Sequence, residues 1–302
     1  MNTFSNEDKK LIAHRKYFDE ILKLLNSRTF NNPLLLTGKK GIGKFTLIHH
    51  IISSVVDNVN YDSNLNLIKK NNKMFNVFEE SIVKNLIYLS GEDKNVNIEK
   101  IRKTRENLTK STINNSKRFI IFDDVELFNT NCLNALLKMI EEPSKINQFI
   151  LINNKTKPLL DTVISRCLEI KIFINKSEQK KIITELNKIF NTESIIDTNN
   201  SDITPGNYLI FNEICIAKKI DLKDDLFINI KKLVLLFKQF KEIKYINLLI
   251  FLIDNYYYHL SKKQNDIEKS NLKRLLMIKK INELNTLNLN TSNTLRDMEK
   301  NL

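Results

Sequence analysis

Short continuous apolar runs alternate along the chain with longer segments whose apolar residues recur three and four apart, the pattern of buried strands joined by amphipathic helices. Five runs read as strands: Leu34-Leu35-Leu36, Asn85 to Leu89, Phe119 to Phe122, Phe149 to Ile152 and Leu168 to Ile174. Phe119-Ile120-Ile121-Phe122 is apolar throughout and rich in β-branched and aromatic residues, which suits a parallel strand covered on both faces. Helical spacing predicts helices over 8–25, 47–55, 98–108, 134–142 and 178–190, and then over 221–241, 243–261 and 265–283. Pro143 stops the fourth of these, Ser177 is the expected cap of the fifth, and Thr204-Pro205 opens a further helix. A short helix begins after Pro158 and is closed by Ser165-Arg166-Cys167. The Asn-rich pieces 58–61 and 71–72 and the polar stretch 191–202 read as loops, and Ser90-Gly91 ends the second strand.

Two strand ends carry candidate chemistry. The first strand feeds Gly38-Lys39-Lys40-Gly41-Ile42-Gly43-Lys44-Phe45-Thr46, and a helix follows. Strand, glycine loop and helix in that order aim backbone N–H groups and a helix N-terminus at phosphates, with Lys44 reaching the β- and γ-phosphates. The position after the lysine needs a hydroxyl to ligate Mg²⁺, and here it is Phe45. Thr46 is rotated by about 100° from that position along a helix, so it is no direct replacement. Phe119–Phe122 ends on Asp123-Asp124, an acidic pair where a Mg²⁺-nucleotide would be met.

At 302 residues the chain has room for two or three domains, and an apolar fraction of 42% is enough for a sizeable core. A formal charge of +13 fits attraction to phosphate backbones, but heavy use of Asn, Lys and Ile without a compact basic block equally describes a diffuse solvated surface. Cys132, Cys167 and Cys215 lie far apart, which argues against a disulfide framework or a zinc site and fits a reducing cytoplasm. The start, MNTFSNEDKK, lacks a basic-then-apolar signal pattern. Ile246 to Ile253 is broken by Asn247 and far short of the roughly 20 residues that span a bilayer. A soluble cytoplasmic protein is expected, and His14 reads as structural.

Four elements stand in a particular order: the strand ending in Asp123-Asp124; Asn134-Ala135-Leu136-Leu137-Lys138 with Glu141-Glu142-Pro143; the strand running into Asn153-Asn154; and Ser165-Arg166-Cys167. With the glycine loop upstream, they resemble the clamp-loader branch of the AAA+ proteins, and within it the delta-prime subunits of bacterial DNA polymerase III. The resemblance covers roughly residues 10–170 and fades to topology and the segment 204–209 beyond. It implies an α/β fold: an AAA+ (P-loop NTPase-like) parallel-sheet domain over 1–170, a small helical lid over 171–218 and a C-terminal helical collar over 219–302.

The resemblance also implies roles. Gly38, Gly41, Gly43, Lys44, Thr46, Asp123, Asp124 and Asn153 would face a nucleotide, ATP with Mg²⁺. Asp123 stands at the family's Mg²⁺-associated aspartate, but the water-orienting glutamate is replaced by Asp124, one methylene shorter. A misplacement of about 1 Å can cost on the order of 100-fold in rate. Asn207 stands near the place of an arginine that senses the γ-phosphate. With Phe45, these departures imply a weak or absent ATPase and argue against full use of ATP and Mg²⁺. Arg166 would serve in trans as an arginine finger on a neighbour's ATP, and Lys138 would touch DNA phosphate. The implied partners are the delta and gamma/tau subunits, the sliding clamp and primer–template DNA, with no membrane. Relatives carry a four-cysteine zinc module between the loop helix and the acidic strand; no cysteine lies there, so no zinc is expected. The alternative is a catalytically active gamma/tau-like ATPase or another AAA+ ATPase. A P-loop phosphotransferase would leave NALLK and SRC without a role.

Overall fold

The computed structural model describes residues 9–27, 29–76, 85–93, 96–108, 117–141, 143–198, 201–222, 224–264 and 267–287, with residues 295, 296 and 299 beyond. Two compact units divide the chain: residues 1–185 with 204–206, and residues 186–203 with 207–302. In chain order come β1 (Lys9–Lys10), α1 (Arg15–Asn26), β2 (Leu34–Thr37), α2 (Lys44–Val56), β3 (Tyr61–Asp62), β4 (Leu67–Ile68), β5 (Leu86–Ser90), α3 (Ile98–Leu108) and β6 (Arg118–Asp123). These are followed by α4 (Thr130–Ile140), β7 (Asn147–Asn153), α5 (Asp161–Ile164), β8 (Leu168–Lys171), α6 (Lys176–Phe190), α7 (Pro205–Lys218), α8 (Leu226–Phe240), α9 (Ile243–Gln264) and α10 (Ile267–Leu287).

In the first unit, five strands form a parallel sheet in the order β5-β6-β7-β2-β8. Side chains alternate across it. Phe119 and Ile121 join Leu34, Leu36, Ile150 and Ile152 beneath Phe18 and Ile21 of α1 and Leu47, Ile48, Ile51 and Ile52 of α2. Ile120 and Phe122 join Leu35, Phe149 and Leu151 on the other face, under Ile101 of α3, Leu136 and Met139 of α4 and Val163 of α5. Covering both faces is why the central stretches of β2, β6 and β7 read as continuous apolar runs. Each such side chain contributes roughly 1.5–3 kcal/mol by leaving water. The parallel order brings the ends of β2, β5, β6 and β7 to one edge, where ligands of open α/β sheets bind.

Several boundaries differ from the sequence reading. The first helix starts at Arg15 because Lys9–Lys10 pairs with Ile68–Leu67 and His14 adopts φ 70°, so the backbone is not helical before it; Asp8 lies outside the described residues. The Asn-rich pieces are partly ordered: residues 58–60 form a 3₁₀ turn, and Tyr61–Asp62 and Leu67–Ile68 join β1 in a three-stranded antiparallel sheet. Buried Asn72 closes this region, its amide donating to the carbonyls of Ser53, Asp57 and Asn60. The fourth helix starts earlier than expected, at Thr130, because the Asn129 side chain caps it by accepting from Cys132 N; it ends at Ile140, and Glu142 lies outside the described residues. Asn175, not Ser177, caps α6: Asn175 Oδ1 accepts from Glu178 N while Glu178 Oε2 accepts from Asn175 N, a reciprocal capping box. The strand expected over 168–174 ends at Lys171.

The second unit is helical apart from its connections. Tyr208 of α7 is fully buried, and its hydroxyl bonds Asn187 and Ser194. Asp225 caps α8, and Arg274 of α10 pairs with Asp254 of α9 at 2.6 Å. Leu233, Leu248, Leu249, Ile253, Met277 and Ile281 are buried, and α9 packs against both α8 and α10. Leu272, Leu275 and Leu276 on α10 remain exposed. Among the described residues no helix is long and apolar enough to cross a membrane.

Helix α2 also carries a buried histidine pair. Burial lowers His49 to about 4 and His50 to about 3, against a usual value near 6.5. Both are neutral at pH 7, and below pH 6.5 the unfolded chain binds more protons than the folded one, so their contribution to stability is lost as pH falls toward 4. For His49 alone the full loss is about 3 kcal/mol. Asp123, raised by burial to about 6, acts in the opposite sense over part of the same window. The test is therefore a difference: a His50→Gln variant should lose less denaturant stability between pH 7 and pH 5 than the wild type, and equal losses would contradict this account.

Candidate nucleotide site

The loop after β2 turns through Gly41 and Gly43, whose φ values of 81° and 98° an L side chain resists, and α2 starts at Lys44. Lys44 is 3% exposed, and its Nζ donates to the carbonyls of Gly38 at 2.7 Å and Lys39 at 2.8 Å. Burial lowers this ammonium to about 8 despite the opposing pull of Asp123, Glu126 and Asp124. A phosphate beside it would favour the charged form. His14, which burial keeps below its usual value, braces the loop through its Nε2 against the Ile42 carbonyl at 2.5 Å. Gly206, at the start of α7, donates its N–H to Gly41 O at 2.8 Å. A Cβ on Gly206 would lie 2.9 Å from that same oxygen, so only glycine fits the approach.

At the ends of β6 and β7 the acidic pair is enclosed by donors. Asp123 Oδ1 accepts from Asp124 N at 2.8 Å and from Asn154 Nδ2 at 3.4 Å, and its Oδ2 accepts from the Tyr88 hydroxyl at 3.1 Å. Asp124, left-handed at φ 48°, accepts on Oδ1 from Asn154 Nδ2 at 2.8 Å and from Lys40 Nζ at 3.1 Å. Lys40 also pairs with Glu92. Burial would lower the Lys40 ammonium, but the Glu92 and Asp124 carboxylates more than offset it and hold it above its usual value. Burial first, then Asp124, pushes Asp123 up to about 6. Buried Glu126 accepts from Asn154 N at 3.1 Å, Thr156 N at 3.2 Å and Thr156 Oγ1 at 2.8 Å, which fixes the loop carrying Asn154.

The residues singled out in the sequence do not all fall in one place. Gly38, Gly41, Gly43, Lys44, Asp123 and Asp124 share the edge of the sheet where β2 and β6 end. Thr46 is exposed on α2, and Phe45 sits edge-on to Tyr88 with ring centroids 5.4 Å apart. Asn153 is buried and accepts from Lys155 N at 2.9 Å; the amide that reaches both carboxylates belongs to Asn154. Lys40, Tyr88, Glu126 and Asn154 were not singled out, although Lys40 stands in the glycine loop and Asn154 in the polar pair ending the strand. Lys138 is exposed on α4.

Arg166 lies elsewhere. Leu168 pairs with Leu34, the first residue of β2, so Arg166 stands at the opposite sheet edge from the glycine loop. Strands of four to six residues rising about 3.3 Å each put roughly 13–20 Å between the edges. There its Nε donates to Glu141 Oε1 at 2.8 Å and its Nη1 to Thr162 O at 2.9 Å. The residue is exposed.

The Mg²⁺ that the fold implies does not match this site. Phe45 supplies no ligand where a hydroxyl is needed, and both oxygens of Asp123 already accept hydrogen bonds. Among the described residues no group of three or more His, Cys, Asp or Glu side chains could hold a metal ion.

The parallel sheet, glycine loop and acidic strand end define an AAA+ protein of the clamp-loader kind. A crystal structure of a DNA polymerase III gamma subunit-related protein from Thermotoga maritima superposes with TM-score 0.53 at 13% identity, over 94% of this chain and 99% of that one, a likeness of fold. The chain belongs to the family described as DNA polymerase III, delta subunit, whose model matches residues 13–176, just over half of its length. It is 26% identical to a DNA polymerase III subunit gamma of Buchnera aphidicola over 187 residues, 61% of this chain and 50% of that protein. It is 36% identical to the subunit delta' of Bacillus subtilis over 67 residues, 22% of this chain and 20% of that protein. The chain thus spans half or less of the length of these curated relatives.

Proposed function

We propose that this chain is a delta-prime-like subunit of a DNA polymerase III clamp loader, helping to place a sliding clamp on primed DNA while hydrolysing little or no ATP itself. The observation that carries the reading is the separation of Arg166 from the chain's own glycine loop by the height of the sheet. An exposed guanidinium there has the fork of donors suited to a γ-phosphate held by another subunit. Glu141 of the NALLK-x-x-E segment holds it in place, which ties two of the motifs together. The implied partners are delta and gamma/tau subunits, the clamp and primer–template DNA. The division into an AAA+ domain over 1–170, a lid over 171–218 and a collar over 219–302 is part of the reading, and exposed Leu272, Leu275 and Leu276 would then meet sister subunits. The test is reconstitution: clamp loading with delta and gamma-type subunits should need this chain, and loading that proceeds equally without it would refute the role.

A second reading, a gamma-type ATPase subunit, draws on the long match to gamma, 187 residues against 67 for delta'. Phe45 and the enclosed acidic pair weigh against it.

Lys138, exposed on α4, is proposed to meet a DNA phosphate. In the assembled complex Lys138→Ala should weaken DNA binding uniformly across sequences and lower the salt slope by about one. Unchanged affinity and salt dependence would dismiss the contact.

A further inference from the structure

The acidic end of β6 lacks more than a hydroxyl partner at Phe45, because each carboxylate there meets a donor from this chain's own fold. Tyr88, one strand over on β5, places its hydroxyl 3.1 Å from Asp123 Oδ2, and the Phe45 ring packs edge-on against the Tyr88 ring. Asp123 Oδ1 meets two N–H groups, from Asp124 and Asn154. Asp124 Oδ1 is shared by the Asn154 amide and the Lys40 ammonium, which Glu92 holds from the other side. A Mg²⁺ ion requires oxygen lone pairs at about 2.0–2.1 Å in near-octahedral array. Protons on Tyr88, Asn154 and Lys40 already meet both oxygens of Asp123 and Oδ1 of Asp124, Phe45 presents carbon, and the Lys40 charge repels a second cation.

We infer that Phe45, Tyr88 and Lys40 together close this site to a divalent cation, so that a nucleotide, where taken, is held through its phosphates alone. The ammonium of Lys40 stands in for the metal at Asp124, and the hydroxyl of Tyr88 does so at Asp123. The loop keeps what phosphate recognition needs, Lys44 and a helix N-terminus, without the part that positions an attacking water through a metal. The inference rests on reading residues 38–46 as a phosphate-binding loop.

The experiment titrates Mn²⁺ into the full chain, with and without ADP, and follows bound metal by electron paramagnetic resonance. Wild type should bind no more Mn²⁺ than Asp123→Asn in either condition. The triple variant Phe45→Thr, Tyr88→Phe, Lys40→Ala should gain one Mn²⁺ per chain, at least tenfold tighter than wild type and abolished by adding Asp123→Asn. Circular dichroism confirms folding, and the single variant Lys40→Ala, which removes only a partly exposed ammonium, should show a several-fold gain if the triple variant does not fold. Mn²⁺ bound by wild type and lost in Asp123→Asn would overturn the inference, as would a triple variant, or failing that a Lys40→Ala variant, that binds no tighter than wild type. ADP affinity in EDTA is measured separately: binding that Lys44→Ala abolishes supports the phosphate loop, and no binding in any variant overturns that reading and its second clause while the Mn²⁺ arm still decides the first.

Discussion

Arg166→Lys, placed in a loader reconstituted with otherwise wild-type subunits, is expected to lower DNA-stimulated ATP turnover by at least about tenfold, roughly 1.4 kcal/mol of transition-state stabilisation. Lysine keeps the charge but loses the planar fork that donates to two phosphate oxygens at once. The chain's own loop is unaffected, since Arg166 sits at the far edge of the sheet and its contacts are Glu141 and Thr162. Both partners lie at the surface, so the substitution should leave folding and assembly intact. Unchanged turnover in an intact assembly would take Arg166 off the list of residues that act on ATP.

The largest effect on stability is expected at Glu126. This buried carboxylate accepts from Asn154 N, Thr156 N and the Thr156 hydroxyl, so Glu126→Ala strands two backbone donors and a hydroxyl beside the acidic pair. At about 1–3 kcal/mol for each donor left without a partner, tempered by water reaching exposed Thr156, the loss should be about 3 kcal/mol. Glu126→Gln keeps one carbonyl oxygen and should lose less than half of that. Urea unfolding measures both, and an alanine variant within about 0.5 kcal/mol of wild type would contradict the network.

Much of this architecture was legible because the central strands β2, β6 and β7 are buried on both faces and announce themselves as apolar runs. The start of the helix expected over 98–108 matches that of α3, at Ile98. What escaped has a physical reason in each case. Two-residue strands such as Lys9–Lys10 and Leu67–Ile68 are too short for any periodicity, and they form because their backbones pair across the chain. Ser177 and Asn175 are both good caps, and only the reciprocal bond with Glu178 decides between them. At the site, the loss of a hydroxyl at Phe45 could be read from one position. Its partner Tyr88 could not, because Phe45 on α2 and Tyr88 on β5 meet only in the folded chain. Asn153 and Asn154 are adjacent amides at a strand end, and their roles separate only when Asn153 turns to its own loop.

The central claim, that this chain's own site stays idle in ATP hydrolysis, is tested most directly by ATP turnover of the purified chain alone, with and without primed DNA. The account predicts a rate no higher than that of the Lys44→Ala variant under both conditions. Robust DNA-stimulated turnover that disappears in Lys44→Ala would contradict it and make the chain an ATPase in its own right.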